Sequence, residues 1–506
     1  MKVTLVDKGH TNLGLEYLSA VLKKSGHQVT LVKDISGIQA YYGLSKLLHI
    51  LADSQYYKQT ILEDIIGSEP ELIAFSVLSD TYGWACEIAK SLKALKDIPI
   101  VFGGIHTTSV PEIVLAEKFI DYVCVGEGEE AMVELLAAME KQEDTTIINN
   151  IWTKKNGRVI SNSLRPLLND LDILPFPDKE DFYLKYRLSE VYSIITGRGC
   201  LYNCTFCCNN LLRRLYKDKG VYLRRRSVDN VIAEIKAAKN RYKIKSVHFV
   251  DNIFVYNKEW LQGFAKKYRE EIALPFMCDI HAQHIDKEVV ELLELAGCAM
   301  ANLGIQTVSE PLRREILKRF ETNDQIIESI RLFKNSKISL YVHIILGLPD
   351  QDKEELKAMV RFFNLYRPEL ILLFSLRYYP RTEIIQVAKE KGILGDKVEE
   401  AIDKSKEYLP FGIGLSTADK EKKKLTSLIL LSQVLPFKVV KFILEGDKYR
   451  YGIPLAFFYF HFSALMLNFY RKNFQGKRSF NYFSFFEQLR LFLYCGRKII
   501  GKILER

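Results

Sequence analysis

Cys200, Cys204 and Cys207 stand in the run Gly197-Arg198-Gly199-Cys200-Leu201-Tyr202-Asn203-Cys204-Thr205-Phe206-Cys207. Three thiolates on one short loop can each bind one iron of a 4Fe–4S cluster. The fourth iron then takes no ligand from the loop and is open to a small molecule. Cys208 is a rival fourth ligand, but from its place beside Cys207 it reaches the open corner only by straining the loop. A structural zinc site and a set of redox thiols are the alternatives. Zinc ordinarily takes four ligands in two pairs, and no second pair stands in the sequence.

The other residues that could do chemistry sit at the ends of apolar runs. Ser76, Gly103-Gly104-Ile105-His106 and Gly126-Glu127-Gly128-Glu129 each follow one. The runs are Lys2–Val6, Val29–Val32, Leu72–Val77, Ile98–Phe102 and Tyr122–Val125. Amphipathic stretches such as Leu13–Gly26 and Gly83–Leu95 separate them. Strands alternating with helices predict a doubly wound parallel sheet over residues 1–145. Such sheets bind ligands at the carboxyl ends of their strands, where glycine lets a ligand approach the backbone closely. Tight turns in an ordinary α/β domain are the other reading of the same glycines.

Leu174-Pro175-Phe176-Pro177-Asp178 reads as extended chain, so residues 146–188 are expected to be a linker. From residue 189 the rhythm resumes. Tyr192–Thr196, Ser246–Asp251, Phe276–Ile280, Ala301–Ile305, Ser339–Leu346 and Ile371–Leu376 are six candidate strands, most with a helix behind them. They predict a partial (β/α) barrel over residues 189–398, with its chemistry on the loops after the strands. The cysteine loop follows the first of them.

Residues 399–506 read as helical, aromatic and basic. From Phe437 onward 13 Lys and Arg face four acids, so nearly all of the chain's net charge of +10 belongs to the tail. Phe457, Phe458, Phe460, Phe462, Phe469, Phe480, Phe483, Phe485 and Phe486, with Arg471, Lys472, Lys477 and Arg478, make an aromatic and basic set. It could wall a large apolar substrate, dock on an anionic membrane surface or pack as a helical cap on the barrel. Ile453–Tyr470 carries no Asp, Glu, Lys or Arg, which reaches the lower limit for a spanning helix, though a core or membrane-surface helix fits as well. Nucleic acid is not expected, since no RNA-binding module is recognisable.

The 506 residues suggest about three domains. With 48% hydrophobic and 26% charged residues the chain is globular rather than disordered. Nine cysteines are too few for a disulfide scaffold. No apolar leader precedes the first strand, so a reducing cytoplasm is expected, with peripheral membrane contact as an option.

The cysteine spacing, with Phe206 inside it, after the first strand of a (β/α) barrel resembles the radical S-adenosylmethionine (SAM) superfamily. Later runs resemble its motifs at successive strand ends. These are His248-Phe249-Val250-Asp251-Asn252, Gly304-Ile305-Gln306-Thr307, Gly347-Leu348-Pro349-Asp350 and Tyr379-Pro380-Arg381-Thr382. Gln306 replaces a common Glu, and Asp350 and Arg381 replace Gly. The resemblance implies that Cys200, Cys204 and Cys207 hold the cluster and that the open iron binds the amino and carboxylate groups of SAM. It places Phe206 near the adenine, Asp251 or Asn252 at the SAM amino group, Gln306 near the ribose and Gly347 beside the adenine. Simple loop packing for Phe206, and a cap or turn for Asp251 and Asn252, are the bland readings.

With Asn12-Leu13-Gly14-Leu15-Glu16, the glycine-rich strand ends and the Pro-Phe-Pro segment, residues 1 to about 395 resemble the cobalamin-binding radical SAM family. Ser76, Gly103, Gly104, His106, Gly126, Glu127 and Gly128 would then receive cobalamin. The family more often leaves the lower face of cobalt without a protein histidine. Asp7-Lys8-Gly9-His10 has the residue types of a cobalt-histidine motif at the wrong spacing, so His10 reads as a turn or surface histidine. The resemblance implies an enzyme that uses the cluster, SAM and cobalamin to methylate an unactivated carbon of a small-molecule or lipid-like substrate. It also implies an electron donor such as flavodoxin or ferredoxin. Radical cyclisation or oxidoreduction with the same cofactors is the alternative, and a non-catalytic corrinoid or redox sensor is a third.

Overall fold

A computed structural model describes residues 1–9, 12–34, 54–185, 189–405, 420–445, 447 and 449. His10, Ile453–Tyr470 and the aromatic and basic positions from Phe457 to Phe486 lie outside the described residues.

The first sheet has seven strands: β1 (Lys2–Lys8), β2 (Gln28–Asp34), β3 (Leu72–Ser76), β4 (Ile100–Gly103), β5 (Tyr122–Cys124), β6 (Ile151–Lys155) and β7 (Arg158–Ile160). Their order is β2-β1-β3-β4-β5-β6-β7. The first five are parallel. Period-two alternation sends Val6, Phe75, Phe102 and Val123 to one face, against the helix Tyr82–Leu95. Val3, Leu5, Ala74 and Val101 go to the other, against the helices Leu13–Lys24 and Glu129–Glu140. Both faces are therefore covered, as a doubly wound sheet requires.

β6 and β7 depart from the linker expected over residues 146–188. They pair antiparallel with β5 and with each other, and they extend the first sheet. The turn between them is Asn156-Gly157, with φ of +53° and +74°. That dipeptide is a strong signal for a two-residue hairpin, because both positions need positive φ.

The second sheet has six strands and is parallel throughout. The strands are β8 (Val191–Ile194), β11 (Ser246–Phe249), β12 (Phe276–Ile280), β13 (Cys298–Gln306), β14 (Ser339–Leu346) and β15 (Leu370–Ser375). Spatial order follows chain order, as in a barrel that stops at six strands, with β8 and β15 at the two edges. A small antiparallel pair, β9 (Gly197–Arg198) and β10 (Arg224–Arg225), stands just past β8. Five helices behind the sheet begin at Ser227, Asn257, Asp286, Thr322 and Asp352, each of which caps its helix by accepting from a backbone N–H with its side chain.

Beyond the barrel, the helices Lys420–Leu431 and Phe437–Glu445 pack Leu425, Leu428, Ile429, Val440 and Leu444 into the barrel's outer core. Asn364 ties them down by donating to the carbonyls of Ser432 (2.6 Å) and Leu435 (2.8 Å). This part of the tail is a helical cap on the barrel. No described helix is long and apolar enough to cross a membrane.

Candidate active site

The strand ends of the two sheets face each other across a cavity of about 450 Å³. Ser76, Gly103, Gly104, Gly126, Glu127 and Gly128 line it from the first sheet. Gly197, Arg198, Gly199, Asp251 and Asn252 line it from the barrel, with Cys208 and Asn209 just past the cysteine loop. Aliphatic walls come from Leu13, Leu18, Met132 and Leu212. The structure thus brings together most of the residues read from sequence as corrinoid contacts and two of those read as SAM contacts.

Two of the glycines are explained by the protein itself. A Cβ at Gly126, whose φ is +83°, would lie 2.0 Å from the Tyr216 hydroxyl. A Cβ at Gly104, with φ of +95°, would lie 2.7 Å from the backbone of Val77. Close approach of chain to chain requires glycine there, whether or not a ligand also comes near.

His106 does not line the cavity. It is 1% exposed, its Nδ1 lies 3.0 Å from Ser79 Oγ, and its ring packs against Tyr82 at 4.4 Å, tilted by 37°. Burial holds its pKa down at about 4. The Glu127 carboxylate reaches the cavity but is paired with Arg224 at 2.6 Å.

In the cysteine loop Cys204 is buried, and Cys200 and Cys207 are half-buried. All three are free thiols. Burial pushes the Cys204 thiol up to about 11, partly countered by Arg319. The Arg319 guanidinium lies 3.8 Å from Cys204 Sγ, pairs with Glu321 at 2.7 Å and donates to the Gly304 carbonyl at 2.6 Å. Tyr202 stacks on His281 at 3.9 Å, and His281 faces Glu321 at 3.4 Å. The loop is held by Thr205, which accepts from Ile384 N–H and donates to the carbonyls of Ile316 and Leu317.

The thiols fit the group inferred from their spacing. No group of three His, Cys, Asp or Glu among the described residues converges on one metal ion. Three ligands that each serve a different iron need not converge, whereas a zinc site must. A cation beside the buried thiol offsets the negative charge that thiolates bring.

Around this loop, Phe206 packs with Leu348, Ile345 and Leu317, next to Gly347. Asp251 accepts from Thr196 N–H and Oγ at 2.9 Å, so its carboxylate pins the chain entering β9. Burial raises its pKa. Asn252 donates to the Gly199 carbonyl at 3.0 Å. Gln306 (φ +66°) and Gly347 (φ +80°) end adjacent strands outside the shared cavity. Asp350 and Arg381, which replace glycines of the motifs, both keep the left-handed backbone, at φ +62° and +59°.

Sequence reasoning did not single out Arg319, Glu321 or the polar residues on the helix-free face of the barrel. Ser193, His248, Asp279, Asn302 and His343 alternate with residues packed in the helix-side core. Asn302 donates to Asp279 at 2.7 Å, and burial raises the Asp279 pKa to about 6. The signal was present: a polar residue interrupts the apolar run of each of these five strands.

Residues 194–363 match the model of the radical SAM superfamily, and residues 3–136 match that of the B12 binding domain. The chain belongs to the cobalamin-binding radical SAM enzymes. The two matched models imply SAM, a 4Fe–4S cluster and cobalamin as its cofactors. An uncharacterized methyltransferase of Pyrococcus horikoshii is 26% identical over 76% of this chain and 79% of its own. The anaerobic magnesium-protoporphyrin IX monomethyl ester cyclase of Rubrivivax gelatinosus is 23% identical over 67% of this chain and 61% of its own. The fold is similar to that of OxsB, a cobalamin-dependent SAM radical enzyme solved with aqua-cobalamin and SAM bound. The TM-score is 0.66 at 15% identity, covering 100% of this chain and 81% of that one.

Proposed function

We propose that this enzyme methylates an unactivated carbon of a small-molecule or lipid-like substrate. The observation that carries the reading is the cavity shared by the strand ends of both sheets, opening beside the cysteine loop. When bound, the cluster and SAM supply a carbon-centred radical and cobalamin supplies the methyl group.

In this reading Cys200, Cys204 and Cys207 hold the cluster, with Arg319 neutralising part of its charge. Asp251 fixes Thr196 and so the direction in which the loop leaves β8. Phe206 and Leu348 flank the adenine, and Asn252, Gln306 and Gly347 orient the rest of SAM. Ser76 and the glycines at 103, 104, 126 and 128 receive the corrinoid. The place of His106 behind the cavity supports a lower cobalt face without histidine. The division into 1–145, 146–188, 189–398 and 399–506 is revised at one boundary: the β6–β7 hairpin extends the first sheet, so the first domain runs to residue 160 and the linker covers 161–188. A one-electron donor of the flavodoxin or ferredoxin kind would reduce the cluster.

The relative that is a cyclase favours a second reading, in which cobalamin does not deliver methyl. A non-catalytic sensor is third and leaves the succession of strand-end motifs without a role. Anaerobic, cofactor-loaded protein incubated with SAM labelled in its methyl group separates the three. Label in the corrinoid and in a product supports methylation. A 5′-deoxyadenosine product without label transfer supports cyclisation. Absence of SAM cleavage with every substrate tested supports the sensor.

A further inference from the structure

The Gly126–Glu129 loop ends the fifth strand of the first sheet, yet its carboxylates are taken up by the barrel. Glu129 Oε1 accepts from Arg198 Nη2 at 2.5 Å. Glu127 accepts from Arg224 Nη2 and Nη1 at 2.6 and 3.0 Å, and Arg198 Nη1 lies 3.3 Å from its Oε1. The two arginines are cross-strand partners in β9 and β10. Their side chains are 16% and 3% exposed. Two cations so close and so shielded repel each other unless carboxylates stand between them. The loop backbone is held as well, because Glu127 N–H donates to the Tyr216 hydroxyl at 2.7 Å. Arg198 precedes Cys200 by two residues. The strand that delivers the thiols is therefore tied to the loop that closes the cavity from the other domain.

We infer that Glu127, Glu129, Arg198 and Arg224 form an interdomain latch that fixes the corrinoid seat against the cysteine loop. Arg198 is a positioning residue, and the two glutamates recognise the barrel's arginines rather than the corrinoid. This rests on reading the shared cavity as the cobalamin site.

The test uses the full chain with Glu127→Gln, Arg224→Gln, their double variant, Glu129→Gln and Arg198→Lys. Hydrogen exchange on cofactor-free protein reads the latch alone. Each charge-removing single variant is expected to raise exchange about tenfold on both sides, at residues 122–130 and at 197–200 with 222–226. The double variant is expected to be no worse than the worse single, the mark of a coupled pair. Hydroxocobalamin titration should show a comparable loss for the Glu127 and Arg224 singles, and Arg198→Lys should stay within about threefold of wild type. In protein loaded with both cofactors, Glu129→Gln should broaden the dipolar interaction between reduced cluster and cobalt(II) at unchanged occupancy.

Exchange confined to the mutated segment, or additive effects of the two changes, would overturn the proposal. So would lost cobalamin affinity in the glutamate variant alone, which marks that carboxylate as a corrinoid ligand. Wild-type protein that takes up no cobalamin would overturn the cavity reading instead, and the exchange measurement would still decide the latch.

Discussion

The Lys179 ammonium lies 2.7 Å from the Glu16 carboxylate, and neither side chain is exposed at all. Glu16 belongs to the first helix of the corrinoid-binding domain. Lys179 comes from the segment between the domains and also donates to the Ser193 carbonyl of β8, at 2.8 Å. One buried ion pair thus joins both sheets. Removing one partner leaves a charge without compensation. Lys179→Met is expected to cost about 3–5 kcal/mol, and Lys179→Met with Glu16→Leu markedly less. Urea unfolding of wild type, Lys179→Met, Glu16→Leu and the double variant measures both.

The thiols carry a separable role. Cys204→Ala should abolish cluster assembly and cluster-dependent SAM cleavage while leaving cobalamin uptake within about threefold of wild type, an estimate that treats the two cofactor seats as energetically independent. Iron and sulfide content, with a cobalamin titration, check this. Loss of both together would show that the two domains do not bind their cofactors independently.

Gly126 gives a steric prediction. Gly126→Ala places a methyl group on the Tyr216 hydroxyl in a backbone region that favours glycine. A loss of about 2–4 kcal/mol is expected. Adding Tyr216→Ala should recover only part of it, since the backbone strain remains. Thermal unfolding of the two variants measures the difference.

Asp279 gives a pH prediction. Burial raises its folded-state pKa to about 6, above its ordinary value of 3.8. The native state therefore holds its proton more tightly than the unfolded chain. The stability this contributes is fully present below pH 3.8 and is lost as pH rises through 6. Relative to wild type, Asp279→Asn should gain up to roughly 3 kcal/mol as pH rises across that window. Chemical unfolding of both proteins at pH 4.5 and pH 7.5 reads the change.

The Arg381 turn separates backbone demand from side-chain role. Its φ of +59° suits glycine, while its side chain pairs with Glu112 of the first domain at 3.1 Å and with Asp403 at 3.4 Å. Arg381→Gly should change stability by less than about 1 kcal/mol, because relieved strain offsets two partly exposed pairs. Arg381→Val should cost about 2 kcal/mol or more. Thermal denaturation distinguishes them.

Much of this was legible because both sheets repeat one physical pattern. Apolar runs of four to eight residues followed by amphipathic stretches locate all five parallel strands of the first sheet and all six of the second. The cysteine spacing is local, so the loop could be read without the fold. What escaped depends on residues far apart in the chain. Arg319 meets Cys204 across 115 residues, and Arg224 meets Glu127 across 97. No local pattern marks such a partner. The β6–β7 hairpin was local and could have been read from Asn156-Gly157. The neighbouring prolines suggested open chain instead. The glycines after β4 and β5 were read as room for a ligand, whereas two of them first make room for Val77 and Tyr216.

The central claim is that the three cysteines leave one iron of the cluster for SAM. Electron paramagnetic resonance of the reduced, cluster-loaded protein, recorded with and without SAM, tests it directly. The account predicts that SAM shifts the cluster signal. An unchanged spectrum from a cluster whose fourth iron already carries a side chain, Cys208 included, would contradict it.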